Sequence, residues 1–255
     1  MRRSGGEVAE LLRLGAVGLA RLVLPVQCPG CGVWDQPLCP PCERLLRGCL
    51  GDGPVRRCEQ HVPRLDRMDG TTPLPVWVAT DYAGPVRGVV VAWKDRGRTD
   101  LSRPLGRAAT DLGRGVAADL ATATAGEPVR VVPVPSTARA RRRRGEDLVG
   151  GLAAAVARGL TEQGVPAHPV PRLSRRGGGR DQVGLGARAR DVNTAGAWRL
   201  RPGYAEDRRA PHLLVDDVVT TGSTLAGCER ALSGSGALVL GAVVLAATPP
   251  PTRDL

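Results

Sequence analysis

Residues 212–224 read HLLVDDVVTTGST, and this ordered run carries most of the chemistry visible in the chain. An apolar strand delivers two adjacent acids, Asp216 and Asp217. A turn of Thr220, Thr221, Gly222, Ser223 and Thr224 then opens a helix. Backbone N–H groups at such a turn can surround a phosphate, the helix dipole favours its charge, and the hydroxyls add donors. Gly222 lets the backbone approach closely. The two acids cannot serve the phosphate, because they would repel it. They suit the hydroxyls of an attached ribose, or a bound cation. An Asp-capped helix after a turn would explain one acid and one threonine, but not the whole string.

Four cysteines make a second constellation. Cys28 and Cys31 form one C-x-x-C pair, Cys39 and Cys42 another, with seven residues between them. Each pair turns two thiolates toward one ion, and Gly or Pro inside the pair favours the tight turn. Two pairs complete a tetrahedron about Zn²⁺ and leave no position for water, so the expected metal is structural. A redox pair or free buried cysteines is the alternative. Cys58 and His61 have ligand spacing and Cys49 could join them, but a fourth ligand is not evident. Cys228 falls on an expected buried helix and reads as core.

Cationic residues supply the third signal. Lys94 is the only lysine among 36 lysines plus arginines. In so arginine-biased a chain, a retained lysine suggests a need for a compact ammonium, with chance survival as the alternative. Arg139, Arg141, Arg142, Arg143 and Arg144 form either a solvated cluster or a polyanion site suited to diphosphate or nucleic-acid phosphates. The net charge of +11 attracts polyanions without choosing among them. Few aromatics are available for base stacking: Trp93, Trp198, Tyr82 and Tyr204. His168, in a Pro-flanked turn, and His212, at a strand start, have no visible partner and are given no catalytic role.

These residues need a scaffold, and the hydrophobic pattern specifies one. Residues 7–24 have helical periodicity, and residues 64–75 read as a linker. Thereafter strands (76–80, 129–133, 212–215, 237–246) alternate with helices (85–94, 100–119, 147–163, 223–233), while 174–194 reads as an exposed loop. Apolar strands alternating with helices predict an α/β fold with a parallel sheet covered on both faces, preceded by a small helix and the cysteine module. The expected division is 1–63 for the N-terminal helix and zinc-finger module, 64–75 for the linker, and 76–250 for the α/β domain. No apolar run reaches the roughly 18 residues that span a bilayer, and the start of the chain lacks a signal-peptide cleavage pattern. A cytoplasmic protein without membrane insertion is expected, and an odd, clustered cysteine set fits a reducing compartment.

The loop after Val215 is similar to the phosphoribosyl diphosphate motif of the type I phosphoribosyltransferases. The whole chain resembles the ComF family of competence proteins, which joins that motif to an N-terminal four-cysteine module. The resemblance covers the leading helix, the cysteine pairs, residues 82–97, Val132-Pro133-Val134-Pro135, residues 182–198 and the phosphate loop. It implies a type I phosphoribosyltransferase-like fold. Asp216 and Asp217 would bind ribose hydroxyls, with Lys94 as a further catalytic residue, and Thr220, Thr221, Gly222, Ser223 and Thr224 would bind the 5′-phosphate. Pro133 and Val134 would lead into the diphosphate loop, where Arg144 and Gly145 match the family. Glu146, Asp147 and Leu148 stand where the family has Phe, Asn and Gln. Gln182, Leu185, Arg190 and Asn193 match the spacing of the family's mobile loop, which Trp198 would close.

The implied activity is transfer of a phosphoribosyl group from phosphoribosyl diphosphate to an unknown acceptor, with Mg²⁺ accompanying the donor and Zn²⁺ remaining structural. The alternative is a non-catalytic module that binds phosphoribosyl diphosphate, a nucleotide or single-stranded DNA, with DNA-uptake proteins as partners. A zinc-centred interaction scaffold would account for the cysteines but not for the phosphate loop.

Overall fold

The computed structural model describes residues 26–48, 56–57, 74–136, 146–175, 198–202 and 210–249. The expected helix at 7–24, Cys49, Cys58, His61, the arginine run at 139–144 and nearly all of the expected linker lie outside them. Runs of Val, Leu and Ala make β2 (Val76–Asp81), β3 (Val129–Pro133), β7 (Pro211–Val219) and β8 (Leu238–Ala247). With the short β1 (Arg56–Arg57) and β4 (Ala167–Pro169) they form one sheet in the order β1-β2-β8-β7-β3-β4. Five of its strands are parallel, and β1 alone pairs antiparallel at the edge. A separate two-stranded sheet pairs β5 (Leu173–Arg175) with β6 (Trp198–Leu200). His168 lies in β4, paired beside Arg130, and not in a turn. Its single ladder to β3 was too short to leave a pattern in the sequence.

Strands buried on both faces need cover on both. On one face lie α2 (Gly84–Asp95), α3 (Ser102–Thr124) and α4 (Leu148–Glu162), packing against Trp77, Ala79, Val129, Val131, Leu213 and Val215. On the other lies α5 (Ser223–Ser233), whose Leu225, Cys228 and Leu232 meet Val76, Val132, Leu214 and Val244. Cys228 is core, as its position in an apolar helix face implied. Among the described residues, no helix is long and apolar enough to cross a membrane.

Helices α3 and α4 approach so closely that two glycines become obligatory. A Cβ on Gly159 would lie 2.1 Å from the Thr110 carbonyl oxygen, and one on Gly113 would lie 2.4 Å from that of Val156. Backbone cannot yield as a flexible side chain can. Gly159→Val is therefore expected to cost about 3 kcal/mol and to lower Tm by roughly 6–12 °C, read by scanning calorimetry. An unchanged melting curve would mean that the helices can separate freely.

The cysteine module leads into α1 (Pro40–Arg47), which packs on the α/β core. Arg47 bonds Asp111 at 2.6 Å and Glu43 bonds Arg107 at 2.6 Å, tying α1 to α3. At the other end of α1, Gly48 sits over the Ala79 carbonyl of β2, where a Cβ would lie 1.9 Å from the oxygen.

Candidate functional site

Sheet order locates the site before any side chain is considered. After β3 the chain passes through α4 to β4 on one side, and after β7 it passes through α5 to β8 on the other. Neighbouring strands β3 and β7 therefore send their helices to opposite faces, which opens a crevice outside their carboxyl ends. Parallel α/β sheets bind ligands at such a switch point. The Thr220–Thr224 loop and the Pro133-Val134 turn both lie there, and the Val134 N–H donates to the Val215 carbonyl at 2.9 Å.

β7 runs four residues further than the sequence pattern implied, so Asp216 and Asp217 belong to its ladder beside β8. Asp217 is buried, and both of its carboxylate oxygens meet Lys94 Nζ from α2, at 2.9 and 2.7 Å. It also accepts from the Val218 N–H at 2.7 Å. Asp216 accepts from the Asp217 N–H at 2.9 Å. Burial, and then the neighbouring Asp217 charge, push the Asp216 carboxyl well above its usual 3.8, while Lys94 partly opposes the rise.

A carboxyl raised by folding favours the native state below its unfolded value, and that contribution is lost as pH climbs through the folded value. Asp216→Asn keeps an acceptor for the Asp217 N–H without the charge. Its Tm advantage over the parent is therefore expected to widen as pH rises from about 4. A difference independent of pH would contradict the shift.

The loop leaves the start of α5 uncapped. Gly222 holds a left-handed conformation, φ 69°, as the N-cap of α5, and no side chain caps that helix. The first amide of the loop and helix to find a backbone acceptor is that of Ala226, bonded to the Gly222 carbonyl at 2.9 Å. From Thr220 to Leu225, no N–H bonds another described backbone carbonyl outside regular strand and helix pairing. Thr221 and Ser223 hydroxyls lie 3.1 Å apart, on the exposed side of the turn. An uncapped helix start of this kind attracts negative charge.

Beside Lys94 a cleft of about 230 Å³ is lined by Trp93, Asp95, Gly97, Thr99, Glu146 and Leu148. Trp93 Nε1 donates to Ser102 at 2.9 Å, which fixes the indole. Asp147 caps α4 by accepting from the Gly150 N–H at 3.2 Å. Of the two acids at 146 and 147, one lines the cleft and the other starts a helix.

No protein-family model matches this chain, and no curated protein matches it either.

The structure brings Asp216, Asp217, Lys94, Pro133, Val134 and the loop Thr220–Thr224 to one end of the sheet. Arg144, Gln182, Arg190 and Asn193 lie outside the described residues. The strands that bracket residues 176–197, β5 and β6, are paired, and Leu173 and Arg201 at their base line a small recess with Pro133, Val134, Pro135 and Asp147.

The four cysteines form a separate centre. Their sulfurs all lie within 4.8 Å of one another, with Cys28–Cys39 at 3.6 Å and Cys31–Cys39 at 3.5 Å. Tetrahedral Zn²⁺ with bonds of about 2.3 Å needs edges of about 3.8 Å. The set fits zinc and is too wide for a disulfide. Locally, the first pair sits in a tight turn closed by Gly32 N–H to the Cys28 carbonyl. The second pair occupies the N-cap and first turn of α1, where the dipole favours thiolate. Burial pushes the Cys28 thiol up, but N–H donors from Cys39, Cys31 and Gly30 outweigh it and hold it at about 6. The Cys42 N–H favours thiolate at Cys39, yet burial and the Cys31 and Cys28 sulfurs leave that thiol raised. Cys42 is raised too, by burial and its sulfur neighbours. Metal binding must displace these protons, so zinc affinity falls as pH drops.

Two arrangements left no sequence signal. Arg172, fully buried, donates to His212 Nε2 at 2.8 Å, so His212 is the neutral tautomer whose Nδ1–H donates to Ala210 at 2.6 Å. These partners lie 40 residues apart in the chain. Arg98 is the other: its Nη1 and Nη2 donate to the Gln27 and Pro37 carbonyls at 3.3 and 2.8 Å, while Asp100 holds its far side.

Proposed function

We propose that this chain binds phosphoribosyl diphosphate at the β7–α5 loop and transfers its phosphoribosyl group to an acceptor. The observation that carries the reading is an uncapped helix start joined to two acids at the switch point of a parallel sheet. The loop amides and the hydroxyls of Thr220, Thr221, Ser223 and Thr224 would hold the 5′-phosphate. Asp216 and Asp217 would accept from the ribose hydroxyls, Lys94 keeping Asp217 oriented for that bond. In the transfer the bond from ribose C1 to diphosphate breaks, and positive charge grows on the sugar as in glycoside hydrolysis. Holding the donor and excluding water are the chain's tasks, and no side-chain nucleophile is required. Mg²⁺ would neutralise the diphosphate and, with Asp217 committed to Lys94, would be held mainly by the donor's own oxygens. Zn²⁺ would hold the cysteine module.

One observation favours a second reading, a module that binds a nucleotide, phosphoribosyl diphosphate or single-stranded DNA without turnover. Glu146 lines the cleft and Asp147 caps α4, so acids stand near where a diphosphate would lie. Like charge there weakens the case for diphosphate departure. Titration calorimetry with phosphoribosyl diphosphate and Mg²⁺ should give saturable binding under either reading. Diphosphate release across a panel of nucleobases separates them, since only the transferase reading predicts release. A loop indifferent to every ribose phosphate would overturn both. For DNA, binding whose salt dependence survives replacing Arg141 to Arg144 by glutamine would exclude the basic run as the contact.

A further inference from the structure

We infer that the cysteine module, with its metal bound, positions Lys94 in the ribose-phosphate site, using α2 as the connecting element. The ligand named in this inference rests on the proposed function, whereas the coupling to Lys94 does not. Helix α2 is seated on the first cysteine turn with no space between them. A Cβ on Gly88 would lie 2.2 Å from the Pro29 carbonyl oxygen and 3.5 Å from Gly30 Cα. Gly30 is equally enclosed: a Cβ there would lie 2.7 Å from Cys42 Sγ and 3.2 Å from Pro85 Cβ, at the start of α2. Arg98, just beyond α2, fastens the carbonyls of Gln27 and Pro37 on either side of the cysteine turn.

The C-terminal turn of the same helix carries Lys94 to Asp217, at 2.7 Å. Thus the path from metal ligands to ribose acids crosses a glycine contact, one helix and one ion pair. A shared ion would join the Cys28 and Cys31 turn to Cys39 and Cys42; without it the turn is left to its own backbone hydrogen bonds and to Arg98. Release of the metal lets that turn relax, and α2 loses the surface that sets its position. Lys94 then leaves Asp217, and the acid pair loses the cation that orients it. Lys94 acts on the sugar through Asp217, which makes it a positioning residue, and the metal acts through Lys94.

Because Lys94 is the only lysine, lysine labelled at Cε gives the full-length protein one Hε/Cε NMR signal. Asp217→Asn marks where that signal falls without the pair. In zinc-loaded protein the signal should be distinct from this mark, and chelation should move it there. Phosphoribosyl diphosphate affinity should fall about tenfold on chelation, within the range of coupling between sites. In Lys94→Met, chelation should cost nothing further. A signal that keeps its paired position in chelated, folded protein overturns the inference, and so does an equal chelation loss in Lys94→Met. If circular dichroism shows that chelation unfolds the chain, Arg98→Ala with zinc retained replaces it. There a shifted lysine signal supports the coupling and an unshifted one overturns it. Should the signal follow the metal while no state binds a ribose phosphate, the proposed function fails and the coupling of metal to Lys94 stands.

Discussion

Replacing Lys94 with methionine is expected to cost about 3 kcal/mol of stability, because it strands a buried carboxylate. The Asp217 side chain is 4% exposed and Lys94 33%, so the cost belongs at the lower end of the range for broken buried pairs. The Val218 N–H remains as a partner but carries no full charge. A Tm fall of roughly 6–12 °C follows for a chain of this size. Adding Asp217→Asn to Lys94→Met removes the stranded charge and should restore most of the loss, since the two sites are directly coupled. Ribose-phosphate binding should not return with it, because an amide accepts sugar hydroxyls less strongly than a carboxylate. Thermal melts and calorimetric titration of the three proteins separate these effects. If Lys94→Met melts with the parent, the ion pair is dispensable to the fold.

Cys42→Ser should lower bound zinc from about one ion per chain toward zero and cost at least about 4 kcal/mol. Cys42 is chosen because it is buried, lies in the first turn of α1 and touches Gly30, so it joins both cysteine turns. Loss of the ion releases the N-terminal end of α1, leaving the helix held at its other end by Gly48 on Ala79 and Arg47 on Asp111. Metal analysis and calorimetry read the two effects together. The melt of chelated parent should overlay that of the variant, since both lack the same constraint. A variant that retains zinc and stability would show that three cysteines suffice and that Cys42 is only core.

The four long strands and the four helices of the α/β domain were legible because their patterns are local, whereas β1, β4, β5 and β6, of two or three residues each, were not. Residues 129–133 and 223–233 were placed at their true ends, and the helix expected at 147–163 spans Leu148–Glu162. Helix α1 was not foreseen, since Pro40 and Pro41 read as part of a metal turn and only the structure shows Pro at the helix start. The end of β7 was placed short because two acids look unlike a buried strand. They are tolerated there by Lys94 and by backbone donors, which no strand pattern can reveal.

Local order along the chain determined which residue types could meet a phosphate, a sugar or a metal: the DDVVTTGST run and the two spaced cysteine pairs are each contained within a short stretch. Lys94 was singled out by its rarity, but its partner, 123 positions away, was not. The pairing of Arg172 with His212, the seat of α2 on the cysteine turn and the switch between β3 and β7 were likewise decided only in three dimensions. The physical reason is the same in each case. Side-chain chemistry is written residue by residue, whereas burial, ion pairing and strand order depend on chain segments that become neighbours only when the sheet forms.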